Sequence, residues 1–110
     1  MDRKTDYWER STRGLFDRDI PQVLLVHANR LNADHFDRIA AMLTKRGYRF
    51  VTLDAAVSDP AYASPDTFIG AGGISWIHRF TLTKSGPSAI LPHEPAVPSW
   101  VMRVAGVTAE

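Results

Sequence analysis

The residue whose type and position best suit proton transfer is His27, at the end of the run Gln22-Val23-Leu24-Leu25-Val26-His27. Imidazole has an ordinary pKa of ~6.5, so it can give and take protons near neutrality. Side chains alternate along an extended segment, which puts Leu25 and His27 on one face and Val26 on the other. An apolar side chain would then sit beside a proton donor at the carboxyl end of a strand, the edge where α/β architectures bind ligands. The structural alternative is a histidine that closes a core and bonds to a loop carbonyl. The other histidines offer less. His35 falls in the first turn of a helix and faces solvent. His78, within Ile74–Phe80, reads as packed or bonded to a partner, and His93 lies among prolines. No two histidines have the close spacing of a zinc helix or finger, so no local motif marks a metal site.

Further groups are weaker candidates. Asp54 stands ahead of Ala55-Ala56-Val57, where a carboxylate serves either as a helix cap or as a base at a strand end. Ala71-Gly72-Gly73 follows no strand and lacks the Gly-Lys-Ser/Thr ending of a phosphate loop. Ser75 and Ser99 carry no nucleophile motif. Trp76, Arg79 and Phe80 suit either a sugar-stacking platform or, at helical spacing, a core. There is no cysteine, which excludes disulfides, thiolate zinc sites and thiol catalysis.

Positioning these groups falls to a small number of elements. A helix is predicted over Thr5–Phe16, with Trp8 and Leu15 one heptad apart. The unbroken apolar run before His27 reads as a strand buried on both faces, entered through Pro21. A helix over 33–46 follows, with Asn32 as N-cap, Phe36, Ile39, Ala40 and Leu43 as its apolar stripe, and Gly47 just past its end. Tyr48–Leu53 alternates as a second strand, and a short helix follows Asp54. Strand, helix and strand make a βαβ unit. Glycines and prolines then mark a loop, Ile74–Thr83 forms one more helix, and four prolines between Pro87 and Pro98 predict an extended tail over 84–110, anchored by Trp100 and Val101. The expected fold is α/β within a single domain, 1–110. Two strands buried on both faces lack neighbours here, so the chain reads as part of something larger.

Composition narrows the function classes. Thirteen Lys/Arg against twelve Asp/Glu leave a net charge of +1, and the basic residues are scattered. That argues against nucleic acid, which needs a basic face. The charged start Met1–Asp6 leads into no apolar run, and no stretch approaches the ~18 apolar residues of a membrane span. The expectation is a soluble, cytoplasmic chain with no membrane partner.

Several stretches are more specific in combination than alone. Ile20-Pro21-Gln22-Val23-Leu24-Leu25-Val26-His27-Ala28-Asn29 is followed by Leu31-Asn32-Ala33-Asp34-His35-Phe36, then by Arg46-Gly47-Tyr48-Arg49-Phe50-Val51-Thr52-Leu53. Asp59-Pro60-Ala61-Tyr62 and Gly73-Ile74-Ser75-Trp76-Ile77-His78-Arg79 complete the set. In this order and spacing, from about Thr5 to Trp100, the chain resembles the C-terminal part of a bacterial polysaccharide deacetylase, a carbohydrate esterase sharing a homology domain with chitooligosaccharide deacetylases. The resemblance implies a fragment of an irregular (β/α) barrel and a metal-dependent removal of acetyl groups from sugars. It maps the family's Leu-x-His onto Leu25, which would line the acetyl-methyl pocket, and His27, which would protonate the leaving group. The family's divalent metal, typically zinc, is held by an aspartate and two histidines from motifs that precede this region, as is the base aspartate. Those motifs are absent from these 110 residues.

The resemblance therefore implies no cofactor in this chain, no activity for it alone, and a partner in the form of an N-terminal deacetylase half or a second copy, with acetylated carbohydrate as substrate once complete. The alternatives are a small carbohydrate- or protein-binding module, or a small enzyme with unrelated chemistry at His27.

Overall fold

The computed structural model describes residues 1–85 and 94–108. Five α-helices run in order: α1 (Asp2–Phe16), α2 (Arg30–Lys45), α3 (Leu53–Val57), α4 (Trp76–Ser85) and α5 (Ser99–Ala105). A 3-10 turn at Pro60–Ala63 separates α3 from α4. Among the described residues there is no strand and no sheet, which overturns the α/β expectation and its βαβ fragment of a barrel. Residues 22–27 and 48–52 belong to no helix or strand, and Leu53 already belongs to α3. The physical reason is the shortage of neighbours. A strand meant for burial on both faces gains little from one short partner, and an isolated two-stranded pair is marginal in water. The aromatic residues of the helices pack with one another instead.

That core is small. Ile20, Ala61 and Phe80 are buried together, with Leu15, Phe16 and Tyr62 packed against them. The ring of Phe80 meets Phe16 edge-on at 5.4 Å and Tyr62 at 5.7 Å, and Tyr62 in turn meets Trp76 at 5.0 Å. Such edge-to-face pairs add about 0.5–1.5 kcal/mol each beyond area burial. The principal helix contact is α1 on α4. Here Thr12 is fully buried, and it satisfies its hydroxyl by donating to the Trp8 carbonyl at 3.0 Å while accepting from Gln22 Nε2 at 3.2 Å. The helix over 74–83 is found nearly where the pattern puts it, with Ile77 and Phe80 buried.

Helix α2 departs from expectation at its start. Its N-cap is Asn29, whose side chain accepts from the Asn32 amide at 2.9 Å, while Asn32 Nδ2 donates to the His27 carbonyl at 2.8 Å. Two asparagines three apart compete for the cap, and the earlier one wins because the later one ties back to His27. The end of α2 is as predicted. Gly47 adopts φ +88, the Gly47 amide donates to the Thr44 carbonyl and the Tyr48 amide to the Leu43 carbonyl. This double-bonded stop needs a left-handed residue, which glycine supplies without steric cost. The predicted stripe is not buried: Ile39, Ala40 and Leu43 are half-buried and Phe36 is 39% exposed.

Helix α3 is capped by Thr52, whose hydroxyl accepts from the Ala55 amide at 3.2 Å, and not by Asp54, which lies inside the first turn. In the tail, residues 94–98 are extended and α5 follows. Trp100 is 61% exposed and does not anchor the tail, while Val101 is half-buried. Most of the proline-rich stretch, including His93, lies outside the described residues. No helix among the described residues is long and apolar enough to cross a membrane.

Candidate functional site

Leu25 and His27 lie on the extended stretch that leaves the core after Gln22. Ile20 is buried, the Pro21 carbonyl accepts from the Tyr62 hydroxyl at 2.7 Å, and Gln22 is tied to Thr12. Beyond these ties the backbone leads outward, and from Leu24 to Leu31 every residue is exposed. Leu25 is 88% exposed. His27 is exposed as well, and its imidazole makes no hydrogen bond among the described residues, although its carbonyl accepts from Asn29 and Asn32. The structural alternative, a core histidine, is thereby excluded. Among the described residues, no carboxylate or second histidine is paired with the ring. Asp54, the candidate base, is exposed on α3 without an ion pair among the described residues.

The structure assembles a second histidine more fully. Ser75 Oγ and His78 Nδ1 share a hydrogen bond of 2.9 Å, and His78 Nε2 lies 3.5 Å from Glu94 Oε2. A serine on one ring nitrogen and a carboxylate on the other resembles the arrangement that acyl transfer uses. Two features make it structural. Ser75 Oγ also accepts from the His78 amide at 3.4 Å, so it caps the start of α4. Glu94 is committed to Lys4, whose Nζ is 2.6 Å from Oε1. The imidazole is further fixed by the edge of Trp8 at 5.5 Å. The sequence expectation that His78 is packed and partner-bonded holds. Glu94 was not legible, being 16 residues away in a proline-rich stretch, and the cap at Ser75 was missed because the sequence pattern starts the helix at Ile74; a serine at a helix start was the signal that could have found it.

The largest concentration of charge lies where α2 ends beside α1. Arg46 donates to Asp2 at 2.7 Å, to Asp6 at 2.5 Å and to Glu9 at 2.9 Å, and Tyr48 donates to the other Glu9 oxygen at 2.8 Å. Burial first, then the bond to Glu9, pushes the Tyr48 phenol well above its ordinary value. The Glu9 and Asp6 carboxylates likewise hold the Arg46 guanidinium firmly protonated. Beside this cluster runs an open cleft of about 200 Å³, lined by Glu9, Arg13, Asp19, Ile20, Gln22, Arg46, Gly47 and Tyr48. It is smaller than the ~300–1,000 Å³ of typical ligand pockets. Its charges already pair among themselves, Arg13 with Asp19 at 2.5 Å and Arg46 with the three acids. It is an open, charge-lined seam between elements.

Among the described residues no group of three His, Asp or Glu is placed to hold a metal ion. Asp2, Asp6 and Glu9 are already engaged by the Arg46 guanidinium, so they do not fit the divalent metal of the deacetylase chemistry. Comparison with family models, curated proteins and solved structures finds no match to this chain.

Proposed function

We propose that this chain is the C-terminal portion of a polysaccharide deacetylase-like hydrolase, contributing Leu25 to the acetyl-methyl pocket and His27 as the acid that protonates the departing sugar amine or hydroxyl, and that it is inactive by itself. What carries this is the ordered set of stretches from Ile20 to Arg79 that resembles the family, with Leu25-x-His27 at its centre. The exposure of both side chains and the unengaged imidazole agree with residues whose working partners lie outside the described chain. The metal ligands and the base carboxylate are assigned to a separately supplied N-terminal half, since the donors present here do not fit that group. A general acid alone contributes ~10²–10⁴-fold, far short of a working hydrolase.

The test is turnover of acetylated glucosamine oligomers and of an activated acetate ester, with and without zinc or cobalt, for wild type and His27→Ala. No turnover above buffer is expected from the chain alone. Activity is expected on adding a polypeptide that carries the aspartate and histidine motifs, and is lost in His27→Ala. Metal-stimulated turnover by the chain alone would overturn the proposal.

A binding module is the second reading, and the exposed apolar residues Leu25, Phe50, Val51 and Leu53 favour it. It predicts saturable binding of an oligosaccharide or a protein by the chain alone, weakened by Leu25→Ser, with no gain of activity from the added half.

A further inference from the structure

From Val23 to Ala55 the chain contains no buried residue. Both feet of this stretch are fastened. At one, Ile20 is buried and Gln22 is bonded to Thr12. At the other, Ala56 is buried, and Asp59 grips Arg18 through two hydrogen bonds of 2.9 and 2.5 Å. Apart from local bonds at the feet themselves, where Val23 meets Tyr62 and the carbonyls of Thr52, Asp54 and Ala55 accept from Ala56 and Ser58, every hydrogen bond and ion pair from this stretch to the rest of the described residues passes through Arg46 or Tyr48. The acceptors Asp2, Asp6 and Glu9 sit four and three residues apart on α1, so they share a helix face. The stop at Gly47 turns the chain so that Arg46 and Tyr48 both reach that face.

We propose that residues 23–55 form a hinged arm, held closed on α1 by an ionic latch made of Arg46 on Asp2, Asp6 and Glu9 with Tyr48 on Glu9, and released as salt screens it. Three acids on one face repel one another, and arm closure brings the cation that relieves this. The latch is poised and not locked. Arg46 Nε is inaccessible yet has no hydrogen-bond partner among the described residues, which offsets part of the gain. The open cleft beside the cluster admits ions. The Debye length falls from ~10 Å at 0.1 M salt to ~3 Å at 1 M. Once released, α2 is a 16-residue helix with no buried side chain, barely longer than the ~12–15 residues below which isolated helices are marginal in water. Opening therefore reports itself as fraying of α2.

The experiment is hydrogen exchange of the full chain, followed by mass spectrometry from ~0.05 M to ~1 M sodium chloride. Amides of α2 should exchange about tenfold faster at the high end, while those of α1 and α4 stay unchanged. Arg46→Gln should exchange in α2 at low salt as the wild type does at high salt, with no further response. Arg46→Lys, which keeps a charge but loses the planar fork, should fall between them. Wild-type α2 exchange indifferent to salt, or α1 and α4 accelerating in step with α2, would overturn the proposal. Should Arg46→Gln unfold as a whole, the wild-type series decides together with Glu9→Gln, which removes one carboxylate and must lower the salt response of α2.

Discussion

The hydroxyl of Tyr62 donates to the carbonyl of Pro21 at 2.7 Å while the same ring lies against Phe80, so one side chain joins the extended stretch to the aromatic core. Tyr62→Phe keeps the ring contacts and loses the bond, at a cost of about 1 kcal/mol. Phe80→Ala removes the centre of the cluster and should cost ~3–5 kcal/mol, much of the total stability of a chain this size. Urea denaturation followed by far-ultraviolet dichroism distinguishes the two: a shifted midpoint for the first, loss of the cooperative transition for the second.

Gly47 should not tolerate a side chain, though the space beside it is open. Its φ of +88 is the obstacle, and Gly47→Ala should cost roughly 1–2 kcal/mol. Gly14, inside α1 and equally unobstructed, provides the contrast. Gly14→Ala should stabilise by up to about 1 kcal/mol, because alanine is the better helix former. Thermal melts of the two variants should move in opposite directions.

Acid should loosen the lower foot of the arm. The Arg18 guanidinium, and after it the Ala61 amide, hold Asp59 below its ordinary value of 3.8. The folded state thus favours the ionised form, whose contribution is full above 3.8 and fades as pH falls through the lowered value. Asp59→Asn should flatten the acid limb of a plot of urea midpoint against pH. An unchanged limb would show that the Arg18 bond contributes nothing in solution.

Alkali acts on Tyr48 with the opposite sign. Its raised value means the folded state favours the neutral phenol, so its contribution is full below the ordinary 10.0 and lost as pH climbs through the raised value. Burial also raises Tyr7 and Tyr62, less than Tyr48, so phenolate absorbance of the folded chain should develop later than that of the unfolded chain at all three tyrosines. Tyr48→Phe should remove the latest step and leave the other two.

His27→Ala and Leu25→Ala should leave the urea midpoint within about 0.5 kcal/mol of wild type, because neither side chain is buried. A larger loss would assign these residues to the core and remove the basis for the role proposed for them.

Local signals in the sequence were legible where local chemistry decides. The left-handed glycine after α2, the helix around Ile77 and Phe80, and the exposed His35 all follow from residue type and spacing. The strands were misread because periodicity reports what a segment would prefer to pack against, not whether a neighbour is present. Val23–His27 has the composition of a buried strand and no ladder to join. The Arg46 cluster was invisible for another reason. Its acids lie on α1 and its cation just past the end of α2, 37 to 44 residues apart, and each alone looks like a solvated surface charge.

The exposed stretch Leu24-Leu25-Val26 joins no sheet among the described residues and bares apolar side chains, and Phe50-Val51 repeats the condition. Arg49 directly precedes the second run, whereas no charged residue adjoins the first, so Leu24-Leu25-Val26 is the better template for adding a strand from another molecule. Concentration is therefore a variable of state for this polypeptide. Raising it should favour strand addition at residues 24–26, which are exposed while the chain is still folded.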